Sequence, residues 1–475
     1  MSGRAHSIMI LLNLRRVMFL LIIPALHGVF ALPRGGFLLW LRGAWLDALT
    51  LVIMLTLSVL MWRRCNYKCT NKGITVCRGL FFSHCTTIKW SDIITLSCGR
   101  PFFLRMFNAV FLRADTIGGS FRDSDIRLLL NKDTADKILD IFYSEGNCGC
   151  KPAVEHNAAG SSVLAFALLS SSALTGIVFA AAVVSQSGKL LGQEFSDMLV
   201  LSFEEATRNF ALGIPPAAAA ITYILLLGWL IGVTQSLWRY WHLRLKLWGN
   251  KLIIESGKMG RRLYAVNTQK LAFADIRQTL GMHLAGVCAL YISAVGYGKH
   301  KDDISCVIPT MRKAGFMHKY FSFFAALPLS PANIKPPKRG FMPFIIKPLC
   351  MAIAIMLAGT AVLIFVPHFS DFIIFIIIML TIPSVVLLAV GFSAYFAAGV
   401  GYDKGVYTLR YSRGFALHTV IMHQTQIAKL EFAQNIFQRR RGMCHLVVFT
   451  KAEHRNKHKC LNLSLEEIKA LMKIN

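Results

Sequence analysis

The chain has 475 residues, of which 55% are hydrophobic and only 16% are charged, and its formal net charge is +28. A soluble domain usually carries roughly 25% charged residues, so this composition excludes an ordinary soluble protein. The basic balance favours an anionic partner, either nucleic acid or an anionic lipid surface. Nucleic acid is not expected as a partner, because aromatic residues are not interleaved with the basic ones.

Six apolar stretches have about the length, roughly 20 residues, that a membrane-spanning helix requires. In chain order they are Val17–Leu32, Leu46–Trp62, Val163–Val184, Ala217–Trp238, Ile345–Val366 and Phe372–Ala398. The stretches come in three pairs, and long polar segments follow each pair. The first stretch is the weakest, because it is short and contains Pro24 and His27.

Basic residues are distributed unevenly around these stretches. The short connections inside the pairs contain few of them, namely Arg34, Arg42, Lys189 and Arg208. Cytoplasmic loops of membrane proteins carry the excess of Lys and Arg. The distribution therefore predicts six spans, with both termini and the three long segments in the cytoplasm.

Five cysteines lie early in the first long segment, at Cys65, Cys69, Cys77, Cys85 and Cys98. Their spacing does not match the C-x-x-C pattern of common zinc sites. Thiols in the cytoplasm stay reduced. We therefore expect free thiols buried in strands, and no metal site.

Each long segment has the pattern of short strands followed by a helix. The third contains apolar, β-branched runs at Val406–Tyr411, His418–Met422, Ile427–Phe432 and Cys444–Phe449, which are typical of strands. Ser464–Glu467 matches a capping box and predicts a helix that extends to Ile474. The first segment ends in the same way, with Asp133 and Thr134 at the start of a predicted helix.

The most informative feature is a threefold internal repeat. A common strand position is occupied by Ile93, Leu271 and Ile427. At identical spacing, without a gap, follow Arg100, Gln278 and Gln434, and then Asn108, Gly286 and Gly442. Asn or Gly at the last position suits a tight corner with a positive φ angle. Hairpin turns are predicted upstream at Lys72-Gly73, Asn250-Lys251 and Lys404-Gly405.

Five segments of the repeats carry a family resemblance: Asn250–Gly257, Tyr264–Leu271, Arg277–Ile292, Met422–Ile427 and Gln434–Val448. They resemble the bacterial pleckstrin-homology (PH) domain of the second type, as found in the YdbT-like membrane proteins. The first repeat departs most, because Trp90-Ser-Asp-Ile replaces the usual polar turn. The resemblance extends over nearly the whole chain. It implies small domains with a curved antiparallel sheet or partial barrel and a C-terminal helix, and no enzymatic activity or cofactor.

The predicted architecture is therefore membrane α-helical hairpins, about six spans in all, alternating with three small α+β PH-like domains. The boundaries are 1–62 for the N-terminal tip and first hairpin, 63–145 for domain 1, 146–162 for a linker, 163–238 for the second hairpin, 239–325 for domain 2, 326–344 for a linker, 345–398 for the third hairpin and 399–475 for domain 3. The resemblance further implies a multi-pass protein of the bacterial cytoplasmic (inner) membrane. A single-domain relative is a reasonable partner, in a homo- or hetero-oligomer.

Basic clusters in the three domains are the candidate residues for binding lipid or a partner. They are Arg439, Arg440 and Arg441 in the third domain, Lys258, Arg261 and Arg262 in the second, and Arg100, Arg105 and Arg113 in the first. Beside an anionic leaflet, each nearby cation contributes about 1 kcal/mol of attraction, and arginine can hold a phosphate at two points. Specific headgroup recognition, general electrostatic docking, and a role limited to topology and solubility all fit these clusters.

The sequence contains no nucleophile–base pairing, phosphate-binding loop or H-E-x-x-H motif. Few ionisable groups lie in the predicted spans, whereas a transporter usually keeps a buried charge on its path. We therefore predict a non-enzymatic membrane scaffold whose cytoplasmic domains bind protein partners, each other or anionic lipid. The alternatives are a membrane component of a transport, export or resistance system, and a regulator that senses envelope stress.

Overall fold

A computed structural model of the protein describes residues 1–14, 45, 47–80, 82–116, 118, 124–144, 153–170, 216–257, 261–297, 304–452 and 456–472. The chain forms two compact units. The first comprises Met1–Glu155, Lys246–Glu255 and Met259–Asn267, and the second comprises His156–Leu245, Ser256–Lys258 and Thr268–Asn475.

The first repeat follows strand β1 (Ser2–Arg4), helix α1 (Met9–Leu14) and helix α2 (47–63). Its strands are β2 (Asn66–Thr70), β3 (Gly73–Arg78), β4 (His84–Lys89), β5 (Ile93–Arg100), β6 (Ala109–Thr116) and β7 (Ile126–Asn131). A short helix, α3 (Phe102–Met106), lies between β5 and β6, and the closing helix, α4 (Lys132–Ser144), follows β7.

The second repeat has the same order of elements. It is preceded by strand β8 (Val154–Asn157), helix α5 (Gly160–Ser170) and helix α6 (Pro216–Tyr240). Its strands are β9 (Arg244–Trp248), β10 (Lys251–Ser256), β11 (Arg261–Asn267), β12 (Phe273–Thr279), β13 (Val287–Ser293) and β14 (Cys306–Arg312). Its short helix is α7 (Leu280–Leu284), and its closing helix is α8 (Lys313–Phe323).

The third repeat confirms the strands and the closing helix predicted for the last segment. It follows two long helices, α9 (Met342–Phe365) and α10 (Ser370–Ala397). Its strands are β15 (Gly399–Asp403), β16 (Val406–Arg413), β17 (Ala416–His423), β18 (Ile427–Ala433), β19 (Met443–Thr450) and β20 (Lys457–Ser464). The short helix is α11 (Ile436–Arg440), and the closing helix is α12 (Leu465–Met472).

Neighbouring repeats share sheets. Among the described residues the strand orders are β1-β2-β3-β4, β7-β6-β5-β11-β10-β9-β8, β14-β13-β12-β17-β16-β15 and β18-β19-β20. The fourth strand of the first repeat, β5, therefore pairs with the third strand of the second repeat, β11. In the same way β12, the fourth strand of the second repeat, pairs with β17, the third strand of the third. We call these two pairings the strand junctions; both are antiparallel.

The corner predicted at the repeat position of Asn108 is confirmed. The φ angle there is 53° at Asn108, 66° at Gly286 and 62° at Gly442, a region that suits Gly and tolerates Asn. Each corner directly follows the short helix of its repeat, so we call α3, α7 and α11 the corner helices.

The unusual turn of the first repeat has a packing reason. Trp90 begins a 3₁₀ turn, is buried, and donates its indole N–H to the carbonyl oxygen of Thr70 at 2.9 Å. Its ring lies 6.0 Å from that of Phe142 on the closing helix. The residue that breaks the family's polar pattern therefore fills the core of this domain.

The prediction of free thiols is wrong for one pair in the first repeat. Strands β3 and β4 pair so that Cys77 and Cys85 are directly opposite, with Cα atoms 4.0 Å apart, and their sulfur atoms are bonded. This pairing depends on the register of a hairpin, which the spacing along the chain did not reveal. Cys65, Cys69 and Cys98 are buried free thiols, as expected.

Two helical segments within the described residues are long and apolar enough to cross a bilayer. They are Lys338–Phe365 and Pro367–Ala397, with mean hydropathies of 2.4 and 3.0. The helices approach closely: a Cβ atom at Gly391 would lie 2.5 Å from the carbonyl oxygen of Phe344. Small residues at such contacts are typical of helices that pack in a membrane.

The prediction of about six spans is therefore matched only in part. Val17–Leu32 and the part of Val163–Val184 beyond Ser170 lie outside the described residues. The stretches Leu46–Trp62 and Ala217–Trp238 coincide largely with α2 and α6. The described residues of these two helices do not add further spans by length and composition.

Candidate membrane-docking site

The corner helix of the third repeat presents an apolar and basic surface. A capping box fixes its start: Gln438 N–H donates to Asn435 Oδ1 at 2.7 Å, and Asn435 N–H donates to Gln438 Oε1 at 2.9 Å. Ile436 and Phe437 are left 74% and 71% exposed. The exposed basic residues beside them are Arg439, Arg440 and Arg441.

The opposite side of α11 is tied to the beginning of an apolar helical segment. The buried Gln438 side chain donates to Asn462 Oδ1 at 2.5 Å, and Asn462 Nδ2 donates to the carbonyl oxygen of Gly340 at 2.9 Å. Gly340 lies in the first turn of Lys338–Phe365. The three arginines are therefore held next to the N-terminal end of that segment.

His445 supports this arrangement. Asn462 N–H donates to His445 Nδ1 at 3.2 Å. Burial, with help from Lys459 and Lys347, lowers the pKa of His445 to about 4. The ring is therefore neutral at pH 7 and can accept the Asn462 hydrogen bond.

The corner helix of the second repeat lies beside the same helical hairpin. Thr279 caps α7 by accepting the N–H of Met282 at 3.3 Å. Leu280 packs against a cluster that includes Phe344 of α9 and Ala394 of α10. Leu284 at the other end of α7 is 79% exposed.

The corner helix of the first repeat repeats the pattern. Phe103, Met106 and Phe107 are 52%, 74% and 49% exposed, and Arg105 between them is also exposed. Phe107 lines a cavity together with Leu55 of α2. Each corner helix thus combines exposed apolar side chains with a position beside a long helix.

The structure separates the predicted basic residues into groups. Arg105 and the three arginines from Arg439 to Arg441 are exposed on or directly after corner helices. Arg100 instead donates to Asn108 Oδ1 at 2.8 Å and so holds the corner of the first repeat. Arg113 is half-buried on β6, with its guanidinium carbon 5.9 Å from the centre of the Phe111 ring.

The basic residues predicted for the second repeat are not on its corner helix. Arg261 and Arg262 lie on β11, where they pair with Arg100 and Gly99 of β5. The Arg261 guanidinium also forms an ion pair with Glu255 at 3.2 Å. Lys258 lies outside the described residues.

Sequence reasoning missed the exposed apolar residues of the corner helices. The signal was available, because Phe103 and Phe437 occupy the same repeat position, as do Met106 and Leu284. The sequence predicted only a polar-to-apolar loop at this place and gave these residues no role. Their exposure depends on the direction of a helix that turns away from the sheet.

A second polar cluster is buried at the junction of β12 and β17. Asp275 Oδ2 accepts from Arg277 Nε at 2.5 Å and lies 3.0 Å from His418 Nδ1. Burial would raise the pKa of Asp275, but the His418 hydrogen bond and the Arg277 charge outweigh it and lower that pKa. The carboxylate therefore stays ionised and bridges the two strands. The guanidinium of Arg277 also lies 3.8 Å from the centre of the Tyr291 ring.

This cluster borders a cavity of about 360 Å³ that is also lined by Tyr411 and His458. Tyr411 Oη lies 2.8 Å from His458 Nδ1. The other ring nitrogen of His458 is buried and has no hydrogen-bond partner among the described residues. Burial lowers the pKa of His458 to about 4, so the imidazole is neutral at pH 7. Ion pairing of Asp275 with Arg277 and His418 links the two strands at this junction.

A family model described as a bacterial PH domain matches residues 18–145 and 200–320, which is slightly more than half of the chain. This chain belongs to the bacterial PH domain family. The corner helices α3 and α7 lie within the matched segments, and the third repeat, which the family model does not cover, has the same order of strands and helices. A transmembrane protein of Bacillus subtilis, UPF0699 transmembrane protein YdbT, is 21% identical over 395 residues, covering 73% of this chain and 76% of that protein. No solved structure gives a significant match to the chain.

Proposed function

We propose that this PH-domain protein is a non-enzymatic, multi-pass scaffold of the bacterial cytoplasmic membrane. Its PH domains face the cytoplasm and dock on the anionic leaflet through the corner helices. Six spans, in three hairpins, would carry the three domains. The description of YdbT as a transmembrane protein and the two long apolar helices support the membrane location.

The observation that carries the proposal is the hydrogen-bonded connection from Gln438 through Asn462 to Gly340. If Lys338–Phe365 crosses the bilayer, Gly340 lies near the membrane surface, and α11 lies there with it. Ile436 and Phe437 can then enter the headgroup region, as the apolar face of an interfacial helix does.

Electrostatics and apolar burial act together at this site. Three arginines near an anionic surface contribute about 1 kcal/mol each. Burying a large apolar side chain contributes roughly 1.5–3 kcal/mol when burial is complete. Neither contribution requires a specific headgroup, so docking on any anionic lipid is the simplest form of the proposal. Binding of a protein partner through the same domains is compatible with it.

Hydrogen exchange of the full chain in nanodiscs tests this proposal. We expect amides of the segment Gln434–Gly442 to exchange more slowly in discs containing phosphatidylglycerol than in discs of phosphatidylcholine alone. Replacing Arg439, Arg440 and Arg441 with Ser should remove the difference. A matched control replaces three exposed lysines of the same domain, Lys451, Lys457 and Lys469, with Ser and should keep it.

Two results would reject docking at this site. One is equal exchange of the segment in both kinds of disc for the parent protein. The other is a difference that persists in the arginine variant, which would mean that the protection comes from elsewhere in the domain. Loss of the difference in the lysine control as well would assign the effect to overall charge rather than to α11.

A further inference from the structure

The two strand junctions have the same geometry. Arg100 of β5 pairs with Arg261 of β11, and Gln278 of β12 pairs with Leu417 of β17. Arg100 and Gln278 are equivalent positions of the repeat. Arg261 and Leu417 are also equivalent, because they precede the 3₁₀ turns Thr268–Lys270 and Gln424–Gln426 by the same distance. The fourth strand of one repeat thus accepts the third strand of the next in one conserved register within the molecule.

Among the described residues, the corresponding edge of β18, the fourth strand of the third repeat, has no strand paired to it. In the described part of the chain β18 pairs with β19 alone. Its residues are mostly half-buried or exposed, whereas β5 is buried over six consecutive residues. At the other end of the repeat array, β4 pairs with β3 alone and is largely exposed. Within the part of the chain that the structure describes, one acceptor edge and one donor edge are therefore unpaired.

A β-bulge often protects the edge of a sheet, but the bulge in β18 does not prevent pairing at its free edge. β-bulges and lysines on an edge strand discourage pairing with another chain. β18 has a register shift between Ile427 and Lys429 against β19. The same shift occurs at the equivalent residues of β5, Ile93 and Thr95, and β5 nevertheless pairs with β11. The shift is thus a property of the fourth strand and is compatible with pairing.

We propose that β18 of one molecule pairs with β4 of a second copy, so that the chains associate head to tail through a third strand junction. The register of the two internal junctions places Thr86 of one copy opposite Glu431 of the other. His84 is then opposite Ala433, and Ile88 is opposite Lys429. Addition of a strand to an exposed edge is a common mode of protein recognition, and such a heterologous contact forms a ring or extends further.

The side chains at the two edges also favour pairing between two copies of this chain. Glu431 of β18 is equivalent to Asp275 of β12, and His84 of β4 is equivalent to His418 of β17. Asp275 and His418 form the buried ion pair of the second junction. The proposed junction therefore reproduces a carboxylate–histidine pair in the same positions, with one member from each copy. Both Glu431 and His84 are accessible in the single chain.

Cysteine cross-linking between two differently tagged full-length chains in one membrane tests the pairing. One chain carries Thr86→Cys and the other Glu431→Cys. We expect a disulfide-linked species that contains both tags, at least about fivefold more abundant than with Thr87→Cys in place of Thr86→Cys. The control shifts the cysteine by one residue, which turns its side chain to the other face of the strand. Absence of the mixed species, or equal yields for both positions, would overturn the proposal.

A charge exchange gives a second, independent test of the same contact. Glu431→Lys should weaken self-association of the detergent-solubilised protein by about tenfold, measured by light scattering against concentration. Adding His84→Glu should restore association, because opposite charges again face each other across the junction. An unchanged thermal unfolding temperature shows that the variants are folded. Association that is insensitive to Glu431→Lys, or not recovered by the exchange, contradicts this interface and leaves the lipid-docking proposal untouched.

Discussion

At the residue scale, the most informative group is the Asp275–Arg277–His418 cluster. Its two strands are far apart along the chain, since Asp275 and His418 are separated by 143 positions. Sequence patterns therefore identified His418 as a histidine on a strand but could not identify its partner. Replacing a whole buried ion pair with apolar residues is often neutral for stability. We therefore expect this pair to act mainly by selecting the register between two repeats.

Removing the carboxylate of this cluster should be costly. Asp275→Ala leaves the Arg277 guanidinium buried without its partner, which costs about 3–5 kcal/mol of unfolding free energy. Thermal unfolding of the solubilised full chain measures the loss. The exposed Asp403 provides the control, because its replacement by Ala should change the unfolding free energy by less than about 0.5 kcal/mol. Equal stability of the two variants would mean that the cluster does not hold the junction.

The stability of the protein should depend on pH through its buried histidines. The pKa of His458 is lowered to about 4 in the folded state, against about 6.5 in an unfolded chain. The unfolded state therefore binds more protons between these values, and unfolding free energy falls as the pH drops from about 6.5 to 4, by up to about 3 kcal/mol. Above pH 6.5 this contribution is fully present.

The variant His458→Gln isolates that contribution. Glutamine can still bond to Tyr411 but does not titrate, so the fall in unfolding temperature between pH 6.5 and 4 should become shallower. It should not vanish, because His445 and His156 also have pKa values lowered to about 4 by burial. An unchanged slope in the variant would show that His458 is not the buried neutral group described above.

At the element scale, the corner helices show what sequence reasoning could and could not supply. The corner residues were predictable because Asn and Gly recur at one spacing and few other residues readily adopt a positive φ angle. The apolar residues exposed just before them were not predicted, because composition alone does not say to which side a short helix turns. Phe437 and Met106 illustrate this difference: each is apolar, and each is more than 70% exposed.

Substitutions at Gly442, the corner of the third repeat, test whether backbone strain determines the residue at this position. Gly442 has a φ angle of 62°, and a Cβ atom placed there would meet nothing within 4 Å. Gly442→Ala should therefore cost about 1–2 kcal/mol of unfolding free energy through the backbone alone. Gly442→Asn should cost less, because Asn108 occupies the equivalent corner at φ 53°. Equal losses for Ala and Asn, measured by denaturant unfolding, would contradict this explanation.

At the scale of the whole molecule, the threefold repeat was predictable because its spacing has no gap from the common strand to the corner. The sharing of sheets between repeats was not. Each strand has the same alternating pattern whether it pairs within its own repeat or with the next one. The choice is made by contacts between β5 and β11 and between β12 and β17, and those depend on how successive repeats are placed. The disulfide of Cys77 and Cys85 was not predicted either, because it depends on the register of the β3–β4 hairpin within the first repeat.

The central prediction is that all three PH domains lie on the cytoplasmic side. The Cys77–Cys85 disulfide of the first domain makes this placement the one to test, because thiols in the cytoplasm usually stay reduced. A short epitope inserted separately at the equivalent hairpin turns Lys72-Gly73, Asn250-Lys251 and Lys404-Gly405 tests it, since exposed turns usually tolerate insertions. Antibody binding is compared in intact and permeabilised spheroplasts. We expect every epitope to be detected only after permeabilisation. Detection of any one of them on intact spheroplasts would contradict it.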